Sequence, residues 1–440
     1  MSNLNLKKGG TMLPQCRSEC DLYSVPKFEV VAQDVEDFDD ELRTFHQNFE
    51  GCFSRSEPRE NFLRYMTGQF SKLERKSIEP MALHIEGGNA RAMQRFISDV
   101  VWDQKLIVSK YHKMVDEDLG DPGAALMFDE TSFPKKGDES VGVARQYCGT
   151  LGKIDNCQVG VFAAYASRHG YALLDRRLFI PERWFSDEYK KKREKCEVSG
   201  EISFRTKPQL AAEMLQEVAQ SGVLPFKYIL GDSVYGSSPD FIEAARKLIG
   251  KVYFVSISSE TLCWLSPPSV ERKKYKAGGK ELTKRVLLEE KAPIKVSDFA
   301  KSLGNFYWYK RTVSEGAKGP ISYEFTKKRI TLCEDGLPGK VIWLIVRRRH
   351  VNNKLEYSYF ASNAPTGARL NLFVWLSGLR WAIEQCFEET KTELGMDHYE
   401  VRKFRGWHQH TLTCMLAHFF LWHLKIRLGK KSTVHYDIAA

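Results

Sequence analysis

Two aspartates stand where short apolar runs end. AALMFDET carries Asp129 and FKYILGDSVYG carries Asp232, and each run reads as a buried strand that finishes at an acid. Such an acid lies at the edge of a sheet, where open α/β folds build their sites; a lone one is more often a turn or cap residue. A pair changes the chemistry on offer. Carboxylate oxygens are hard ligands for Mg²⁺ or Mn²⁺, and two ions about 4 Å apart serve phosphoryl transfer, one activating the attacking oxygen and the other stabilising the leaving one. A third carboxylate completes the set. The stretch LRWAIEQCFEETKTELGMDHYEVRKFRGWHQH reads as a single amphipathic helix that offers Glu384, Glu388, Glu389 and Glu393.

The elements that must position these acids follow from periodicity. Apolar residues at helical spacing in DDELRTFHQNFEGCF, RENFLRYMTGQFSKL and GNARAMQRFISDVVWDQKLIVSKYHKMV predict helices from about 41 to 117. EGGNARAMQRFISDVVWD fits a helix-turn-helix and a plain helical bundle equally well. From 124 onward come three strands, AALMFDET, CQVGVFAAYAS and YALLDRRLFIP, the last two joined at Arg168-His169-Gly170. A helix, KPQLAAEMLQEVAQS, stops at Gly222; after the strand of Asp232, Ser238 and Pro239 open another helix, and KVYFVSIS is a strand. That order predicts a mixed α/β sheet, antiparallel first and joined by helical crossovers later. Residues 258–365 alternate apolar and polar between glycine or proline turns, a β-rich insertion. The expected division is a flexible arm over 1–40, a helical and DNA-binding domain over 41–117, a core in two parts over 118–257 and 366–428 around the 258–365 insertion, and a tail over 429–440.

The chain of 440 residues carries 66 Lys and Arg against 56 Asp and Glu, a net +10. Three basic runs, 189–195, 271–276 and 346–350, point to a polyanion, and nucleic acid is the commonest one. Ten scattered cysteines suit a reducing cytoplasm rather than a disulfide framework. Cys16 and Cys20 have no second pair at zinc-ligand spacing, and His408 with His410 have no cysteine partner, so no zinc site is expected. No run is long and apolar enough for a membrane span, and no secretory signal is read at the N-terminus.

The chain resembles bacterial insertion-sequence transposases of the DDE type, in the branch whose last acid lies in a Y-x2-R-x3-E-x6-K signature. The match is carried by FDETSFPKKGDESVGVARQYCGTLGKIDNCQVGV at 128–161, LGDSVYG at 230–236, Arg380 with Glu384 and Lys391 at the signature spacing, and MDHYEVRKFRGWHQH at 396–410. It covers roughly 45–425. The resemblance implies an RNase H-like mixed sheet flanked by helices, with an N-terminal helical domain and the β-rich insertion before the last catalytic helix. It implies Asp129, Asp232 and Glu384 as the acids holding two Mg²⁺ ions, with Mn²⁺ able to substitute, and Arg380 and Lys391 as holders of transposon-end phosphates. Glu388 is the rival of Glu384; Glu389 and Glu393 read as solvated, and Glu130 as structural. Lys135 and Lys136 are candidate DNA-backbone contacts or a solvated loop, and Trp381 is a base-stacking candidate or a core residue.

The implied activity is cleavage of double-stranded DNA at terminal inverted repeats and joining of the freed 3′-hydroxyl to target DNA, by a homodimer on DNA in a bacterial cytoplasm. Two departures stand out: Ser377 occupies the tyrosine position of the signature, and Val234 replaces a small residue after the second aspartate. The competing readings are a DNA-binding regulator derived from such an enzyme and an RNase H-like endonuclease without strand transfer.

Overall fold

The computed structural model describes residues 32–438 except 279, 317, 318 and 353. Cys16, Cys20 and most of the expected arm lie outside the described residues, but the arm's last residues are helical. In chain order the first helices are α1 Ala32–Glu36, α2 Phe38–Gln47, α3 Ser56–Gln69, α4 Ile78–His84, α5 Ala90–Ser98 and α6 Gln104–Leu119. Asn89 and Asp103 cap α5 and α6, their side chains accepting from Ala92 N and Leu106 N at 2.9 Å. Strands β1 Ala125–Pro134, β2 Ala144–Cys148, β3 Lys153–Ser167 and β4 Gly170–Phe179 come next, then helices α7 Lys190–Lys195 and α8 Lys207–Ser221. Thr206 and Gln209 form a reciprocal capping box at the start of α8, and Gly222 ends it at φ +64°.

After β5 Tyr228–Gly231 the chain makes α9 Ser233–Gly236, α10 Pro239–Lys247, β6 Val252–Ile257, β7 Leu262–Trp264, β8 Val270–Ala277, β9 Lys280–Leu287 and β10 Ile294–Lys295. Then come α11 Val296–Ser302, β11 Tyr309–Gly316, β12 Gly319–Glu334, β13 Leu337–Val351, β14 Lys354–Ser362, α12 Leu370–Leu379, α13 Trp381–Thr392 and α14 Phe404–Ile438. The chain is thus a mixed α/β fold with sheets flanked by helices and an N-terminal helical region, consistent with an RNase H-like core. None of the described helices is long and apolar enough to cross a membrane.

The described elements sort into two compact units, 32–227 with 381–438 and 228–380. In the first, β3 pairs antiparallel with β1, β2 and β4. The apolar stripes of α3 and α5 meet at Phe62 and Phe96, 6.3 Å apart, with Phe53 and Trp102 at 5.3 and 5.7 Å from the Phe62 ring. Tyr111 of α6 donates its hydroxyl to Leu173 O, tying the helices to β4.

In the second unit β5 and β6 are parallel, as a helical crossover requires. The insertion does not form a separate sheet: β14 pairs antiparallel with β6, matching Ser362 to Phe254, and β13 and β12 follow on from β14. Only β8 and β9 stand apart among the described strands, as a two-stranded ribbon.

The stretch 379–410 is not one helix. Arg380 occupies the C-cap of α12, α13 ends at Thr392, and 393–403 is irregular. The stop is local chemistry: Gly395 takes φ +69°, where L side chains are strained, and Met396 N turns back to Thr390 O at 2.9 Å.

The GDSVYG turn has its own glycine requirement. A Cβ on Gly236 would lie 1.9 Å from Ser256 O of β6, so α9 closes on the sheet only without a side chain there. Gly236→Ala is therefore expected to cost about 1–3 kcal/mol, read as a lower urea midpoint; an unchanged midpoint would show that the turn yields freely.

Candidate active site

Asp129 is the fifth of the ten residues of β1, in mid-strand rather than at the strand's end as the sequence suggested, and alternation fixes its direction. Phe133, on the same face, packs against Tyr399 at 5.6 Å and Trp407 at 6.3 Å. Phe162, directly opposite Asp129 in register, meets Phe387 of α13 at 5.3 Å. Asp129 thus projects on the face covered by α13 and α14, half-buried, with its own Oδ1 accepting from Glu130 N at 2.8 Å. Glu130 points to the other face and pairs with Lys207 of α8 at 2.9 Å, the structural role expected for it.

The same contacts fix the register of α13 on β1. Lys391 Nζ donates to Ser132 O at 2.9 Å and to Thr150 Oγ1 at 3.1 Å. Seven residues back along the helix, about 10 Å, is Glu384; three residues back along β1, about 10 Å, is Asp129. Phe387, between Glu384 and Lys391, lies against the residue opposite Asp129, so helix and strand run in the same direction and Glu384 lies toward the Asp129 end of the contact. Glu384 is exposed, as is Glu388.

The Lys391 ammonium is engaged with the chain's own oxygens rather than with Glu388, and burial lowers its pKa below the ordinary lysine value, opposed by Asp397. Glu389 departs from the sequence reading altogether. Its carboxylate accepts from His418 Nε2 at 2.7 Å, Tyr171 OH at 2.9 Å and Gln385 Nε2 at 3.0 Å, clamping α13 to α14 and β4. It is not a solvated acid; its partners lie 29 residues ahead and 218 behind, and no local spacing announces them.

Asp232, in the other unit, follows β5 and caps α9, its Oδ1 accepting from Val234 N at 2.8 Å and Tyr235 N at 3.4 Å. Val234 is exposed, so its size does not disturb the cap. Trp381 is exposed and is not a core residue. Lys136 is exposed, whereas Lys135 donates to Tyr399 O at 3.0 Å and lies 3.5 Å from that ring's centre, and burial pulls its pKa down to about 8. His408 and His410 are packed among helices, His410 accepting from Tyr65 OH at 2.8 Å and donating to Met396 O at 3.0 Å. Among the described residues no group of three or more His, Cys, Asp or Glu side chains is gathered to hold a metal ion. Asp129 and Glu384 belong to one unit, on elements that pack against each other; Asp232 belongs to the other.

Residues 48–320, more than half of the chain, match the family described as DDE superfamily endonuclease. The chain belongs to that family. The matched stretch contains Asp129 and Asp232 and ends before Arg380, Glu384 and Lys391. A probable transposase for insertion sequence element IS701 from Microchaete diplosiphon is 24% identical over 347 residues, 78% of this chain and 77% of that protein. The insertion-sequence resemblance therefore holds, and the chain is a DDE-type transposase, an enzyme whose substrate is DNA.

The clamp at Glu389 has a pH signature. Burial works against its charge, but the hydrogen bonds and charge of His418, with those of Gln385 and Tyr171, hold its carboxyl below the ordinary glutamate value. A carboxyl with a depressed folded pKa gives stability that is present above its unfolded value, about 4.3, and is lost as pH falls through the folded value. Glu389→Gln should cost roughly 1–3 kcal/mol at neutral pH and flatten the acid limb of the urea midpoint between pH 6 and 3. Parallel curves for the two proteins would remove Glu389 from that limb.

Proposed function

We propose that this enzyme is an insertion-sequence transposase that cuts at the ends of its element and joins them to target DNA. The observation that supports the reading is the docking of α13 through Lys391 on Ser132 and Phe387 on Phe162, which puts the helix of Glu384 on the face of the sheet that carries Asp129. Asp129, Asp232 and Glu384 are the catalytic acids. They fit two divalent ions, Mg²⁺ with Mn²⁺ able to substitute, because all three offer hard carboxylate oxygens at half-buried or exposed positions. When bound, such ions lower the pKa of an attacking water and offset charge on the leaving oxygen.

Water oxygen adds to the phosphorus at the transposon end, the P–O3′ bond breaks, and the 3′-oxygen leaves with a proton as a free hydroxyl. That hydroxyl then attacks a phosphorus of target DNA, expelling the target's own 3′-oxygen. One phosphodiester is exchanged for another in this second step, so ATP is not needed. Arg380, Lys136 and Trp381 are contacts for the DNA, with Trp381 a stacking platform beside the acid helix. Lys391 and Lys135 serve the DNA through the elements they hold in place, and Lys391 also reaches end phosphates once DNA displaces its present partners. The N-terminal helices read the terminal repeats. Arg91, Gln94 and Arg95 on the exposed face of α5 support this role, because the opposite face, Met93, Phe96 and Ile97, is buried. Two ends must be paired, so a homodimer acts on DNA.

The test uses purified enzyme with Mg²⁺ or Mn²⁺ and a linear duplex carrying the element's ends. Asp129→Asn, Asp232→Asn and Glu384→Gln keep each acid's shape, and asparagine keeps the cap at α9. Each should cut at least about 100-fold more slowly while binding the same duplex. Cleavage by wild type followed by labelled ends joined to a second plasmid establishes strand transfer; cuts without joined product would leave an endonuclease. Undiminished cutting by any one variant removes that acid from the set.

A further inference from the structure

The ribbon of β8 and β9 is built against ordinary sheet chemistry. Its 18 residues, Val270–Leu287, hold seven Lys or Arg and two Glu, a net +5 in a chain whose total is +10. Register sets Arg272 opposite Arg285 and Lys273 opposite Lys284, and like charges across a strand pair are destabilising. Nothing apolar compensates: residues 272–276 and 280–285 are exposed, those of both faces alike. Glu271 pairs with Lys273 at 2.9 Å and Glu281 with Lys274 at 3.2 Å. Among the described residues Arg272, Lys276, Lys280 and Lys284 have no acidic partner. A two-stranded ribbon is marginal by itself, and one that also repels itself is retained for what its charge meets.

The two faces are not equivalent. Arg285 donates to Pro338 O at 3.0 Å, so the face of Arg272, Lys274 and Lys276 leans on the start of β13. The opposite face carries Lys273, Lys280 and Lys284 around Tyr275 and Leu282, whose side chains are 41% and 43% exposed.

We infer that this outward face binds the phosphates of duplex DNA. The ribbon spans about 26 Å, and a two-stranded ribbon is of a width that a DNA groove admits. The spacing of lysines along one face, without a rigid bidentate fork, suits phosphates rather than base edges, so the contact holds without regard to sequence. The inference rests on the transposase reading and names a surface that this reading does not require.

The experiment compares wild type with the triple variant Lys273→Ala, Lys280→Ala, Lys284→Ala, and with Lys274→Ala, Lys276→Ala on the leaning face. Affinity is measured from 50 to 300 mM salt on an end duplex and on an unrelated duplex of equal length. The triple variant should flatten the slope of log K against log salt by about 2–3 and weaken binding ten-fold or more at 100 mM salt, on both duplexes. The leaning-face variant should change the slope by less than half as much. An unchanged slope in the triple variant, with wild type binding normally and the variant melting like wild type, overturns the inference. Loss on the end duplex alone also overturns it, since the contact would then be sequence-specific. Failure of wild type to bind either duplex would instead sink the transposase reading itself.

Discussion

The arrangement of the candidate site depends on how α13 is fastened to β1. The fastening has two parts of different physical kind. Phe387 against Phe162 supplies apolar contact that is indifferent to register. Lys391, reaching Ser132 O on the strand and Thr150 Oγ1 in the turn bonded to it, supplies direction, because an ammonium drawn out of water must find oxygens and finds them at one place. Slip the helix by one turn and the ammonium loses both partners. The acid two turns away inherits that precision, and Glu384 stays exposed.

The far side of α13 is fixed with equal care. Glu389 gathers a histidine from α14, a tyrosine from β4 and a glutamine from its own helix. Three donors on one carboxylate offset the burial that would otherwise neutralise it. Acids on one helix thus take opposite tasks according to the face they occupy: Glu389 is held by protein donors, and Glu384 and Glu388 face outward. Glu384 and Glu388 are separated by spacing rather than by environment, and it is the step from Lys391 back along the helix that favours Glu384.

Much of this was legible in the sequence, and the failures share a cause. The strands of Asp129 and Asp232, the helix stop at Gly222 and the cap at Ser238 were readable because each signal lies within a few residues of what it controls. The faces of Asp129 and Glu130 followed from alternation. What could not be read was contact at long range: Glu389 looks like any surface glutamate until Tyr171 and His418 arrive, and nothing near Lys391 in sequence announces Ser132. The break after Thr392 is different, since Gly395 announced it; the density of charge on both sides of that glycine imitated a longer amphipathic helix.

Charge shows the same division between pattern and placement. Three basic runs pointed to nucleic acid, yet they are not alike. In α7, Lys192 pairs with Asp138 at 2.7 Å and Lys195 with Glu139, while Arg193 donates to the carbonyls of Trp184 and Ser186, so that run staples its own loop. In β13, Arg348 meets Glu324 at 2.8 Å and lies 4.1 Å from the Trp308 ring, and Arg349 meets Glu356 at 2.9 Å. The β13 run has most of its field cancelled nearby, whereas α7 leaves Lys190 and Lys191 exposed. The β8–β9 ribbon keeps its field, because two glutamates stand among seven lysines and arginines. A polyanion binds where positive charge is left uncompensated rather than where it is most concentrated in sequence, and the ribbon meets that condition along both of its strands.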